Sequence, residues 1–240
     1  MKQAISTAMI VLLMITGSKT DAQITRIGFA GGHGSYSLQD LKAFQHEVGN
    51  NPFLPELTKT ASFPGFFNFA AFIEFDLKDS SKLIADITYQ YSGARSFYAD
   101  YSGFYRLSMQ LNGVRFGLQY RIPIKSGEKW GTHFSVGAGV ISSNLNIDEQ
   151  LEITSVEGFR EELSFNSLGF FGEPAVTAHY QVCSRFRIEL LIGYEYNVPS
   201  LLRWSENRDM SLQNDKREPV RVDWTGVRYR LGVSYAFMRN

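Results

Sequence analysis

The chain carries one cysteine, Cys183, in 240 residues, so no intrachain disulfide framework braces it. It has no large excess of one charge, with 24 basic and 24 acidic residues, which gives no reason to expect a nucleic-acid partner. Beyond the N-terminus it lacks any run of 18 apolar residues, which excludes helical membrane spans. What it has in abundance is aromatic, with 19 Phe and 12 Tyr, and glycine, 21 in all. Its apolar residues alternate rather than recur at helical spacing, the pattern of an all-β chain.

The N-terminus, MKQAISTAMIVLLMITGSKTDAQ, sets a lone Lys2 before the apolar run Ala8 to Ile15. Thr20 and Ala22 then stand as small residues two apart. This is the layout of a secretory signal, and the apolar run is too short to span a bilayer. Residues 1–22 are therefore expected to be a signal peptide removed before Gln23, and residues 23–240 one β-barrel domain. The mature chain then has 218 residues, 22 basic and 23 acidic.

Alternation gives eight strand candidates, at 24–32, 67–77, 83–91, 104–122, 130–140, 173–182, 186–196 and about 221–237. In the fourth the apolar phase changes. Tyr105, Leu107, Met109 and Leu111 are odd-numbered, whereas Val114, Phe116, Leu118 and Tyr120 are even. Asn112-Gly113 at the switch reads either as a two-residue hairpin turn or as a bulge; a bulge keeps the strand count even. The connections 78–82, 125–129 and 183–185 are short. They alternate with long ones at about 33–65, 92–103, 142–166 and 197–220, the pattern of an antiparallel up-and-down transmembrane barrel with short periplasmic turns and long extracellular loops. Leu38, Leu41, Phe44 and Val48 fall at helical spacing, which predicts a short amphipathic helix over 37–48 in the first loop.

In a membrane barrel the apolar faces turn outward to lipid and the polar faces inward. No strand has the polar edge that an open sheet must protect. Aromatics cluster at both strand ends: Tyr120, Trp130, Tyr180, Tyr235 and Phe237 near the turns, and Tyr89, Tyr91, Tyr105, Tyr194 and Tyr196 near the loops. Two such girdles suit two membrane interfaces. The inward positions are then Glu74, Asp86, Arg115, Gln119, Arg121, His133, Glu173, His179, Arg187, Glu189, Glu195, Arg228 and Arg230. An eight-stranded barrel is just wide enough for side chains to fill, so these charges are expected to pair into an ionic network that closes the lumen.

The last strand, Arg230-x-Gly232-x-x-Tyr235-x-Phe237, resembles the C-terminal signal read by the barrel-assembly machinery of Gram-negative outer membranes. It departs from that signal in the three residues, Met238 to Asn240, that follow the aromatic. With YSGAR (91–95), DYSGFY (100–105) and DWTGVRYRLGVSYAF (223–237), the whole mature chain resembles the small OmpA/OmpX-type eight-stranded barrels, the outer membrane β-barrel domain proteins. The resemblance implies a place in the outer membrane, with its lipids and the assembly machinery as partners. It implies no activity.

Sharper chemistry has thin support. His133 and His179 face inward on neighbouring strands, with Glu189 at a similar height, a set able to bind a metal or move protons. A filled lumen leaves no access for substrate. His33, Ser35, His46 and Ser96 are scattered through the loops without the spacing of a triad. Cys183 lies in a turn beside Arg185, and 205–219 is a solvated, charged loop. The expectation is a non-enzymatic barrel, without cofactor or metal, whose loops meet a surface protein or a host or environmental ligand, or support envelope integrity. The alternatives are a lipid-modifying enzyme acting at the barrel rim and a soluble barrel, with its faces inverted, that binds an apolar ligand.

Overall fold

Period-two alternation across the chain becomes one ring of strands. The computed structural model describes residues 23–50, 57–77, 80–153 and 156–237; the expected signal peptide 1–22, part of the 78–82 turn and residues 238–240 lie outside them. The strands are β1 (Gln23–Gly34), β2 (Thr58–Ser62), β3 (Phe66–Asp76), β4 (Lys82–Asp100), β5 (Gly103–Ser126), β6 (Trp130–Ile153), β7 (Val156–Gln181) and β8 (Phe186–Asn197), followed by the short β9 (Ser200–Leu201), β10 (Arg203–Trp204) and β11 (Arg221–Val222), and by β12 (Gly226–Ala236). Eight of them pair antiparallel in the circuit β1–β3–β4–β5–β6–β7–β8–β12, and β12 closes on β1 from Arg26↔Ala236 to Gly34↔Arg228. Where the ring is closed each strand has a partner on both sides, which a bilayer requires.

The long walls correct two of the expected loops. Residues 92–103 are a continuation of β4 and β5, paired up to Asp100↔Gly103 across a two-residue turn. Gly103 has φ 151°, and a Cβ there would meet Glu152 O at 2.0 Å, so the turn needs glycine. The Asp100 carboxylate accepts hydrogen bonds from Ser102 N (2.8 Å), Ser102 Oγ (2.6 Å) and Tyr98 Oη (2.8 Å). These donors hold its pKa below the ordinary value, the Ser102 hydroxyl first among them. Residues 142–166 likewise belong to β6 and β7, paired from Trp130↔Tyr180 to Ile153↔Val156. The 35–65 and 198–225 segments are the connections that remain long. The first carries the helix α1 (Gln39–Gly49) with Leu41, Gln45 and Gly49 buried.

Asn112-Gly113 is neither a turn nor a bulge. Register runs unbroken through it on both sides, as Tyr91↔Asn112↔Asn144 and Gln90↔Gly113↔Ser143. Odd-numbered residues of β5 point inward throughout, from Tyr105 to Arg121. What changes is the chemistry of the interior. Below Asn112 the inside is polar and the outside apolar; above it the inside is Leu111, Met109, Leu107 and Tyr105 and the outside is Gln110, Ser108 and Arg106. The same inversion falls on β6 between Val140, facing out, and Ile141, facing in. Tyr105, expected in an interfacial girdle, is for this reason 1% exposed in an apolar core.

Across three strands the level of the change is drawn by one residue type. Asn112, Asn144 and Asn166 are consecutive partners in register and all face outward. Asn144 Nδ2 donates to Asn166 Oδ1 (3.1 Å), and Tyr89 Oη donates to Asn112 Oδ1 (2.7 Å). From this ladder down, β5 turns Val114, Phe116, Leu118, Tyr120, Ile122 and Ile124 outward. At a rise of about 3.3 Å and a tilt of about 40° that stretch stands about 27 Å tall, the height of a bilayer's apolar band. Trp130 and Tyr180, packed at 4.5 Å between ring centroids, border it at the turn end.

Candidate functional site

The lumen fills in two ionic layers because inward residues on neighbouring strands alternate in sign. Five carboxylates (Glu74, Asp86, Glu173, Glu189, Glu195) and five guanidinium groups (Arg115, Arg121, Arg187, Arg228, Arg230) are buried there. In the upper layer Arg115 reaches Glu173 (2.5 Å), Glu195 (2.7 Å) and Asp86 (3.4 Å), with Phe171 4.1 Å from its guanidinium carbon. Arg230 donates two bonds to Glu173 at 2.9 and 3.1 Å, and Arg228 pairs with Glu195 while donating to Gln90 (2.8 Å). In the lower layer Arg187 bridges Glu74 and Glu189, Arg121 donates to Glu189 (2.8 Å), and Lys82 closes on Glu74 (2.5 Å). Each charge is thus neutralised within the wall, the condition under which buried charge is tolerated.

Between the layers lies an apolar shelf of Ala30, Phe72, Ile84 and Leu191. A cavity of about 20 Å³ opens beside it, bordered by Asp86, Gln119, Arg121 and Arg230, room for one water molecule. Gln119 Oε1, Arg121 Nε and Arg230 Nε are buried and have no protein partner, which suits a bridging water there.

His133 and His179 stack with ring centroids 5.0 Å apart, and His179 is in register with Glu189. The Nδ1 atoms of both rings are buried and unpartnered. Among the described residues no group of three or more His, Cys, Asp or Glu side chains has the arrangement of a metal site. The four loop candidates for catalysis each have a partner other than one another. His33 sits edge-on to Phe67 outside the barrel, His46 bonds to Asn50, and Ser35 Oγ accepts from Val227 N. Ser96 is buried under α1, its Oγ accepting from Gln45 Nε2 (3.1 Å). Of the residues that resemble an assembly signal, Arg230 faces into the lumen, Gly232 passes Ala30 in register, and Tyr235 stacks edge-on between Phe186 and Phe237. Cys183 is exposed in the β7–β8 turn.

Above the ionic layers the structure holds what alternation alone did not disclose. The upper halves of β4–β7 wrap an apolar core of Tyr36, Leu38, Leu41, Phe63, Leu111, Ile141, Leu145, Phe165, Leu202 and Val222, among others. Its base is Trp224, fully buried, which donates Nε1–H to Ser143 Oγ (2.9 Å) and meets the Tyr36 ring edge-on at 4.8 Å. Tyr105 Oη donates to Glu149 (2.9 Å); burial first, and then that carboxylate, push its phenol pKa up. These residues form a head, an apolar core packed on the barrel's mouth. The signal that pointed to it was the phase switch at Asn112.

A closed ring of eight antiparallel strands, apolar outside and ionic inside, is the fold of an outer-membrane β-barrel. The outward apolar band and inward charge also rule out the inverted, soluble arrangement. No protein-family model and no curated protein sequence matches the chain. Solved structures do: Neisserial surface protein A (14% identity, TM-score 0.36, covering 90% of this chain and 99% of that one) and the outer membrane protein OprG from Pseudomonas aeruginosa (12%, 0.44, 93% and 99%). Both are small outer-membrane eight-stranded barrels. The outer membrane protease OmpT from Escherichia coli also matches (11%, 0.37, 90% and 95%). The assignment of the fold rests on the ring itself.

Proposed function

We propose that the chain is a non-enzymatic integral protein of the outer membrane, exported by its N-terminal signal and inserted by the barrel-assembly machinery. Its lumen is a closed ionic plug, and its work is done by the head, in surface contact or in envelope integrity. The observation that supports this reading is the pairing of five buried carboxylates with five buried guanidinium groups beneath Trp224. An enzyme at the rim would need a nucleophile within reach of a base, and the hydroxyls of Ser35 and Ser96 are engaged with Val227 N and Gln45 Nε2 rather than with a histidine.

Reconstitution in planar bilayers tests it. The expected result is no stable conductance step, and no turnover of phospholipid or lipid A in the same preparation. Steady channel openings would overturn the closed lumen, and sustained lipid turnover would overturn the non-enzymatic role.

A further inference from the structure

The pairing of five carboxylates with five guanidinium groups leaves two inward cations over. Arg26 on β1 and Lys82 on β4 both stand at the turn end of the lower ionic layer, partly buried. Both lean on a carboxylate that Arg187 already bridges: Lys82 Nζ is 2.5 Å and Arg26 Nε 3.9 Å from Glu74 Oε1. The further acid beside them, Asp76, lies 3.5 Å from Lys82 and is half-exposed. Arg26 reaches on across the mouth, where its Nη2 donates to Gln181 Oε1 on β7 (3.1 Å), while its Nη1 is buried without a protein partner. Gln181 follows His179 by two residues on the inward face of β7, and the His179 ring stacks with His133. A Cβ on residue 131 would meet His179 Cε1 at 2.3 Å, so the ring lies against β6 because that residue is glycine. His133 is 5% exposed, and Nδ1 of each ring is buried without a protein partner.

The turn end of the lumen thus holds surplus positive charge together with three unpartnered nitrogens. A water molecule satisfies a nitrogen but offsets no charge; an oxyanion does both. Guanidinium, ammonium and imidazole N–H groups are donors that phosphate accepts from. A phosphate group carries a charge of about −1.5 to −2 near pH 7, which suits a surplus of two cations. The cup lies inside the wall, where acyl chains cannot follow a lipid headgroup, so the phosphate arrives from water. We propose that the turn-end mouth of the barrel binds a phosphate group, free or as a monoester, between Arg26, Lys82 and His179. The binding needs only the closed ring; that the mouth opens on the periplasm rests on the outer-membrane reading above.

The test uses the full mature chain in a phosphate-free detergent, titrated calorimetrically with inorganic phosphate and, separately, with glycerophosphoethanolamine, a deacylated diester headgroup. Saturable binding of inorganic phosphate is expected. It should weaken about tenfold in Arg26→Gln and severalfold in His179→Phe, which keeps a stacked ring and removes both nitrogens. Lys125→Gln, exposed in the neighbouring turn, should bind as the parent does. All three variants should keep the heat-dependent electrophoretic shift of a closed barrel; if Arg26→Gln loses it, His179→Phe decides the matter. No binding by the parent overturns the proposal, as does undiminished binding by the variants of the cup. Equal weakening in Lys125→Gln overturns it too, by reducing the effect to surface charge. Binding of the diester with none of inorganic phosphate overturns it by assigning the mouth to lipid headgroups. A parent chain that lacks the shift and fractionates as soluble overturns the membrane reading itself, whereas a shifted membrane barrel that ignores phosphate overturns only the site.

Discussion

Arg115 shows how much of this lumen depends on single side chains. It is fully buried and contacts three carboxylates, Asp86, Glu173 and Glu195, while stacking on Phe171. Replacing it with methionine keeps the volume but strands negative charge that Arg228 and Arg230 only partly offset. Breaking a buried pair in this way costs about 3–5 kcal/mol, so urea unfolding of Arg115→Met in lipid vesicles is expected to show a loss of that size. Arg115→Lys retains the charge and loses the fork that lets one guanidinium serve several acceptors at once. Its loss should fall between the two. An Arg115→Met protein as stable as the parent would mean that the pairing is incidental to the fold.

At the scale of elements, the head is a separate apolar core on the barrel's mouth, and α1 is its lid. Leu41 is fully buried on the face of α1 that meets the core, and Gln45 ties the helix to Ala61 O (2.8 Å) and to Ser96. Leu41→Asp places a carboxylate in that core, at a cost above the roughly 2–5 kcal/mol of a simple truncation. The expected outcome is a head that proteases cleave within 35–65 while the barrel keeps its heat-dependent shift; loss of the shift as well would show that head and barrel fold as one unit. The spanning strands and the inward charges were legible in the sequence because period two fixes both faces once the lipid side is known. The upper walls were not. Leu145, Ile147 and Leu151 alternate as clearly as any spanning residues, but an expectation of apolar-outward strands leaves no place for apolar residues facing in. Nor was Trp224 legible as the seal, because its partner Ser143 lies 81 residues away and only the fold-back of 198–225 brings them together.

For the molecule as a whole, the asymmetry of the two ends dictates its orientation. One end is three tight turns; the other carries the head and walls that run well past the apolar band. Cys183 marks the first end and Tyr101, 97% exposed in the β4–β5 turn, marks the second. The Cys183 thiol is fully exposed, and the backbone N–H groups of Arg185 and then Phe186 hold its pKa below the ordinary value. Exposure and that lowering both favour labelling by a maleimide. In intact cells a membrane-impermeant maleimide is expected to leave the parent chain unlabelled and to label it once the outer membrane is permeabilised. A Cys183→Ser/Tyr101→Cys variant should label in intact cells without permeabilisation. The reverse pattern would turn the barrel over, put the ionic lumen's head in the periplasm, and remove the ground for seeking its partners outside the cell.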